Sequence, residues 1–135
     1  MISKMPMPRR KRVAFWTIAA VLAVAASALA LEGFIQLDVR KVGNRASARF
    51  GGDRITGLIR LVDCDGCDLR EREMAVWATG ELKNPRALPV LKAHLTGRAC
   101  DHDRDLCQYE LRKAIMKIDG TWGWFGHHNA AAPAR

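Results

Sequence analysis

The segment from Met74 to Leu95 reads MAVWATGELKNPRALPVLKAHL and predicts two helices joined by a short turn. Apolar residues recur in both halves at the three- and four-residue spacing of a buried helix face. Asn84 followed by Pro85 is typical of a helix start, since Asn caps free amides and Pro tolerates the first helical position. The apolar positions of the two predicted helices are Ala75, Ala78 and Leu82, and then Leu88, Leu91 and Leu95.

Helical patterns flank this segment on both sides. Upstream, Asp53 and Asp68 stand where each would cap a helix, and Glu71 follows Asp68 at the spacing of a capping box. Downstream, a further helix is predicted from about Leu106, with Gly120 after its end. No stretch alternates in the way of a strand, so the sequence predicts an all-α fold.

The predicted helices repeat. GDRITGLIRLV at Gly52–Val62 aligns with NPRALPVLKAH at Asn84–His94, and AVWATGEL at Ala75–Leu82 aligns more loosely with LRKAIMKI at Leu111–Ile118. Repeats of this length indicate helical pairs that bury their apolar faces by stacking on one another.

The segment Met74–Leu95 also resembles a HEAT repeat of the phycobilisome-lyase type. The matching residues are Ala75, Ala78, Gly80, Leu82, Pro85, Arg86, Ala87, Leu88, Pro89 and Leu91. The resemblance implies a short HEAT-like α-solenoid of antiparallel helix pairs, used to bind other proteins. The first repeat lacks a convincing first helix and the last repeat lacks a second. The lyase activity of some family members is not carried by these residues, and we do not transfer it.

In such a solenoid the second helices line an extended binding surface. Here the predicted surface is basic. Its candidate binding residues are Arg54, Arg60, Arg86 and Lys92.

Four cysteines lie in the two loops that join one predicted repeat to the next. In a small exported domain, cysteines favour disulfides over metal or redox chemistry. Cys100 with Cys107 and Cys64 with Cys67 are the local pairs, and a cross-pairing between the two loops stays open.

Two alternatives remain for the same loops. A zinc site would use Cys64, Cys67, Cys100 and Cys107, with His102 as a substitute ligand. A thiol-redox site is the other, although the carboxylates of Asp63, Asp65 and Asp68 disfavour it at the first pair, because nearby carboxylates raise a thiol pKa.

The N-terminus has the pattern of a membrane-targeting segment. Five basic residues and no acid occupy residues 1–12, and the 19 residues Val13–Leu31 carry no charge. A basic segment before an apolar one predicts export with the basic end kept inside. The length suits a single-pass anchor, whereas Ala28-Leu29-Ala30 suits cleavage of a signal peptide.

These patterns divide the chain into a signal anchor or signal peptide (1–31), a linker (32–52), a HEAT-like domain (53–120) and an aromatic, Gly-containing tail (121–135). Beyond the targeting segment, 17 basic residues face 14 acidic ones, so the net charge of +8 does not indicate nucleic-acid binding. We expect an extracytoplasmic interaction module of the cell envelope, bound to another protein, that is not an enzyme and uses no cofactor. The alternative is a zinc-binding or thiol-redox protein.

Overall fold

The computed structural model describes residues 9–101 and 103–122, with side chains from residue 13 onward. Within these residues the chain forms five α-helices and no strand, which confirms the predicted all-α class. A single 3₁₀ turn at Pro85–Ala87 leads into the fourth helix. The helices are α1 (Arg9–Phe50), α2 (Arg54–Val62), α3 (Leu69–Leu82), α4 (Leu88–His94) and α5 (Gln108–Ile118).

The chain divides into two compact units, Met1–Gln36 and Leu37–Arg135. The first contains an apolar helical segment that is long and apolar enough to cross a membrane or to act as a signal, and none of this segment is buried. Its exposed large apolar side chains include Phe15, Trp16, Ile18, Val21, Leu22 and Leu29.

Residues 32–50, predicted as a linker, are helical and form the C-terminal part of α1. Val39, Gly43 and Ala46 are buried on one face of this helix, at spacings of four and three residues. Two of these three residues are Gly and Ala. Their burial reflects a close approach between helices, which a search for large apolar residues does not detect.

Helix α2 begins at the predicted cap, since a carboxylate oxygen of Asp53 accepts a hydrogen bond from the amide of Thr56 at 2.9 Å. Gly57 lies directly against the backbone of α1. A Cβ atom at this position would stand 2.5 Å from the amide nitrogen of Ser47 and 2.6 Å from the carbonyl carbon of Ala46. Gly57 is therefore required by the contact between α1 and α2.

Helix α3 packs against α2 and α5. Asp68 caps it as predicted, accepting from the amides of Arg70 and Glu71 at 3.0 and 3.2 Å. The side chain of Glu71 binds Arg49 of α1. Because α3 has a neighbour on two sides, it buries residues all around its middle: Ala75, Val76, Ala78, Thr79 and Gly80.

The segment after α3 also starts as predicted, with the side-chain oxygen of Asn84 accepting from the amide of Arg86 at 3.0 Å. Helix α4 ends at His94. The amides that follow this end are bound by a side chain of another helix. The buried side chain of Gln108 accepts from the amides of Thr96 and Gly97 at 2.7 and 3.0 Å, so these amides bind a side chain of α5 instead of continuing the helix.

Polar contacts join corresponding ends of the repeated helices. At the start of α2 and of the 3₁₀ turn, Arg86 Nη1 lies 2.8 Å from Asp53 Oδ2. At the ends of α2 and α4, His94 Nε2 lies 3.2 Å from Asp63 Oδ1. Because their starts are in contact and their ends are also in contact, α2 and the segment that contains α4 run parallel to each other.

Candidate binding groove and thiol pair

A groove of about 380 Å³ lies between the C-terminal part of α1 and the start of α3. It is lined by Val42, Arg45, Ala46, Arg49, Leu61, Asp68, Arg70, Glu71 and Met74. Apolar and charged side chains therefore share one concavity, as is usual for binding sites.

Among the described residues, none covers the apolar part of the groove at its α3 side. The side chain of Met74 is 41% exposed, although Ala75 and Val76 next to it are fully buried. Methionine is flexible and polarizable, so it adapts to different apolar surfaces. An exposed methionine in a concave surface is therefore suited to contact with an apolar group of a partner.

The charges of the groove are unequally compensated. Glu71 pairs with Arg49 at 3.0 Å, and Asp68 accepts two backbone amides of α3. Among the described residues, the groove therefore has two guanidinium groups, those of Arg45 and Arg70, without a carboxylate partner within salt-bridge distance.

The sequence pattern does not predict this groove. Its α1 residues follow the pattern of one helix face, with Val42, Arg45, Ala46 and Arg49 at spacings of three, one and three residues. That pattern lies in the segment predicted as a linker. The second wall, on α3, becomes its neighbour only through the tertiary fold.

The candidate residues of the predicted basic surface lie apart from the groove lining, and three of them contact other parts of the domain. The stem of Arg54 packs over Gly43, Arg60 donates to the carbonyl oxygen of Phe50, and Arg86 binds Asp53. Lys92 is exposed on α4. The structure thus gives the arginines roles within the fold, while a binding role of the four stays a prediction.

Asp53 is held ionised by its partners. Hydrogen bonds from the hydroxyl and the amide of Thr56, followed by one from Arg86, lower the pKa of the Asp53 carboxyl to about 2. The Arg86 guanidinium is compensated there and is less available to a partner than those of Arg45 and Arg70.

The four cysteines form two different pairs. Cys64 and Cys67 are joined by a disulfide in the turn between α2 and α3, as predicted. Cys100 and Cys107 are free thiols with their Sγ atoms 2.7 Å apart. Their predicted disulfide is not formed in this structure, although the two sulfurs are neighbours.

The zinc alternative loses two ligands in this state, because a disulfide has no thiolate to offer. Within residues 9–101 and 103–122, no group of three or more Cys, His, Asp or Glu side chains is placed to hold a metal ion. The substitute ligand His102 lies outside the described residues.

Only the start of the predicted tail is described. Trp122 lies near α5, with the ammonium groups of Lys113 and Lys117 5.8 and 6.0 Å from its ring centre. The remainder of the tail, residues 123–135, lies outside the described residues.

Comparison with known proteins returned no relative: no family model, no curated protein and no solved structure matches the chain. The resemblance to HEAT repeats therefore depends on the residues of the chain itself.

Proposed function

We propose that residues 37–122 form a binding module of the cell envelope, and that the groove between α1 and α3 receives a segment of another protein. The observation that carries the proposal is the combination of exposed Met74 with Arg45 and Arg70, which pair with no carboxylate of the described residues. Arg and Met are both enriched at protein interfaces, where an apolar centre is bordered by polar groups. The occupant we propose is a peptide segment with apolar side chains and carboxylates.

The fold we propose for the module is a short HEAT-like stack. Support comes from polar contacts between helices that the sequence aligns: Asp53 with Arg86, Asp63 with His94, and Glu81 with Lys117. Residues 37–50 of α1 would supply the first helix that the first repeat lacks in the sequence pattern. In that arrangement α1 and α2 are one pair, and α3 with α4 is the next.

The proposed role is binding without catalysis. In the groove, one oxygen of each carboxylate is engaged within the fold: Glu71 Oε2 binds Arg49, and Asp68 Oδ1 accepts two α3 amides. These interactions fix the groove walls, and in the proposal the remaining arginines recognise charge.

We further propose that the N-terminal segment is retained as an anchor with the domain outside the cytoplasm. The basic residues 9–12 precede the apolar segment, and basic residues stay on the cytoplasmic side. Helix α1 continues without a break through Ala28–Ala30. A peptidase must reach the peptide bond that it cuts, and a continuous helix at the candidate site disfavours that access.

The test is to select, from a random peptide library, the peptides that bind the full chain held in detergent micelles. We expect enriched peptides in which carboxylates alternate with apolar residues. The double variant Arg45→Glu with Arg70→Glu should weaken their binding at least about tenfold, since each reversed charge replaces attraction by repulsion. Fluorescence anisotropy with a labelled selected peptide measures the affinity.

Lys92→Glu is the matched control, because it reverses an exposed charge of the surface predicted from the repeat pattern. Its affinity for the peptide should stay within about twofold of the unchanged chain, as expected for a charge outside the interface. If Lys92→Glu lost the peptide and the double variant still bound it, the site would lie at α4, and the groove would be contradicted. Selection of basic or uncharged peptides would contradict the proposed occupant.

A further inference from the structure

The two thiols of Cys100 and Cys107 differ in their surroundings although their sulfurs are neighbours. Cys107 is 6% exposed and stands at the N-cap position of α5. Cys100 is partly exposed, and its sulfur accepts a hydrogen bond from the amide of Tyr109 at 3.5 Å. One thiol can therefore be reached from solvent, and the other lies behind it.

Helix α5 favours a negative charge on Cys100. The first amides of a helix have no partner within the helix and point toward an anion at its start. Hydrogen bonds from the Cys107 thiol, and then from the amide of Tyr109, lower the pKa of Cys100. Burial, and then the same thiol–thiol hydrogen bond, raise the pKa of Cys107. Glu73 lies near enough to oppose the effect on Cys100, but it does not reverse it.

The two thiols are also close enough to join. Their Sγ atoms are 2.7 Å apart, and a disulfide bond of about 2.05 Å needs only a small further approach. Cys100 belongs to the irregular segment between α4 and α5, where backbone adjustment does not break a helix.

The other cysteine pair, Cys64 with Cys67, has different chemical surroundings. Cys64 and Cys67 are already joined, and the acidic residues Asp63, Asp65 and Asp68 accompany them along the turn. Carboxylates near a thiol disfavour its ionised form. The two pairs are thus suited to different roles, a structural cross-link at the first and exchange at the second.

We propose that Cys100 and Cys107 are a reversible dithiol–disulfide site, in which Cys100 is the attacking thiol and the substrate is an accessible disulfide of another molecule. The exchange balances in two steps. The Cys100 thiolate attacks one sulfur of the substrate disulfide, forms a mixed disulfide and releases the other sulfur as a thiolate. Cys107 then gives its proton to that thiolate, attacks Cys100 Sγ and releases the second substrate sulfur, which takes the proton first lost by Cys100. Two protein thiols are oxidised and one substrate disulfide is reduced to two thiols.

The test uses oxidised glutathione with the full chain in detergent, after reduction and removal of the reductant. Two variants separate the thiols: Cys107→Ser leaves only Cys100 of the pair, and Cys100→Ser leaves only Cys107. Trypsin cleaves after Arg98, Arg104 and Arg112, so the two cysteines fall in different peptides, residues 99–104 and 105–112. Mass spectrometry then identifies which cysteine carries glutathione.

We expect Cys107→Ser to accumulate the adduct on residues 99–104 at least about tenfold faster than Cys100→Ser accumulates it on residues 105–112, since exposure and ionisation both favour Cys100. The unchanged chain should instead yield peptides 99–104 and 105–112 joined to each other. Equal rates, or a faster reaction at Cys107, would overturn the assignment of the attacking thiol.

A second measurement separates exchange from a permanent cross-link and does not need a variant. The unchanged chain is equilibrated in buffers with different ratios of reduced to oxidised glutathione, and the joined peptides are quantified. A reversible site passes from mostly reduced to mostly joined across the series. A pair that stays joined at every ratio is structural, and one that never joins is inert; either result would overturn the proposal.

Discussion

The Arg86 guanidinium donates to the Asp53 carboxylate at 2.8 Å and to the Thr56 hydroxyl at 2.8 Å. One side chain thus links the 3₁₀ turn before α4 to the start of α2, although Asp53 and Arg86 are 33 residues apart in the sequence. Asp53 also caps α2. The same carboxylate therefore starts a helix and fixes the position of the next aligned segment. This dual role connects local helix formation to the packing between the repeated elements.

The first prediction concerns the pH dependence of this contact. Because folding lowers the pKa of Asp53 from 3.8 to about 2, the unfolded chain binds more protons between these values. The contribution of Asp53 to stability is thus present above about pH 4 and is lost as the pH falls toward 2. Urea denaturation of the full chain, followed by circular dichroism between pH 2 and 6, measures it.

Asp53→Asn is the matched variant, since Asn also caps helices but does not titrate. The variant should be less stable than the unchanged chain at pH 6, and the difference should shrink steadily toward pH 2. A difference that is independent of pH would show that ionisation of Asp53 does not contribute.

The second prediction concerns the contact between α1 and α2. Gly57→Ala should lower the free energy of unfolding by at least about 2 kcal/mol, because the added methyl group meets backbone atoms that side-chain rotation cannot move. Gly66→Ala is the control: nothing lies within 4 Å of its Cβ position, and the change should cost no more than about 0.5 kcal/mol. Equal stability of the two variants would mean that α1 does not pack against Gly57.

The third prediction concerns Gln108, whose side chain also donates to the carbonyl oxygens of His94 and Leu106 at 3.1 and 3.2 Å. Gln108→Leu should lower stability by about 2–4 kcal/mol, because it leaves part-buried amides and carbonyls without a partner. Tyr109→Phe, at the exposed neighbouring position, should stay within about 0.5 kcal/mol. Thermal denaturation compares the two, and a Gln108→Leu variant as stable as Tyr109→Phe would contradict the role of this side chain.

The fourth prediction concerns the membrane. A reporter enzyme that is active only outside the cytoplasm, fused after Arg135, should be active. Replacing residues 9–12 by four glutamates should reduce that activity by about tenfold or more, whereas four lysines should preserve it, since positive charge sets the orientation. The mass of the mature chain should include residues 1–30; a chain that starts at Leu31 would show cleavage and contradict the retained anchor.

The sequence patterns predicted the local features well and the packing less well. Asp53, Asp68 and Asn84 all cap the helices expected of them, because a cap bonds to amides only two or three residues away. The side chain of Glu71 was expected to complete the capping box, but it binds Arg49, which is 22 residues away. Packing brings Arg49 within reach of Glu71, and the carboxylate binds this guanidinium in the fold.

Gly57 illustrates the same limit. Within α2 it is a poor helix former, and sequence reasoning could only count it against the helix. In the fold it is the residue that lets α1 and α2 approach, and the small residues Gly43 and Ala46 are buried on the face of α1 that meets α2. Small buried residues give no hydrophobic signal, so neither feature is predicted by periodicity.

By itself the sequence determined the all-α class, the helix starts at Asp53, Asp68 and Asn84, and the apolar N-terminal segment. Each of these depends on residues within a few positions of one another, where chain geometry alone fixes which groups meet. The tertiary structure decided the groove between α1 and α3, the bonds of Gln108 and the different surroundings of Cys100 and Cys107. These depend on distances between separate elements, which are set by how small and large side chains fit together when the helices pack.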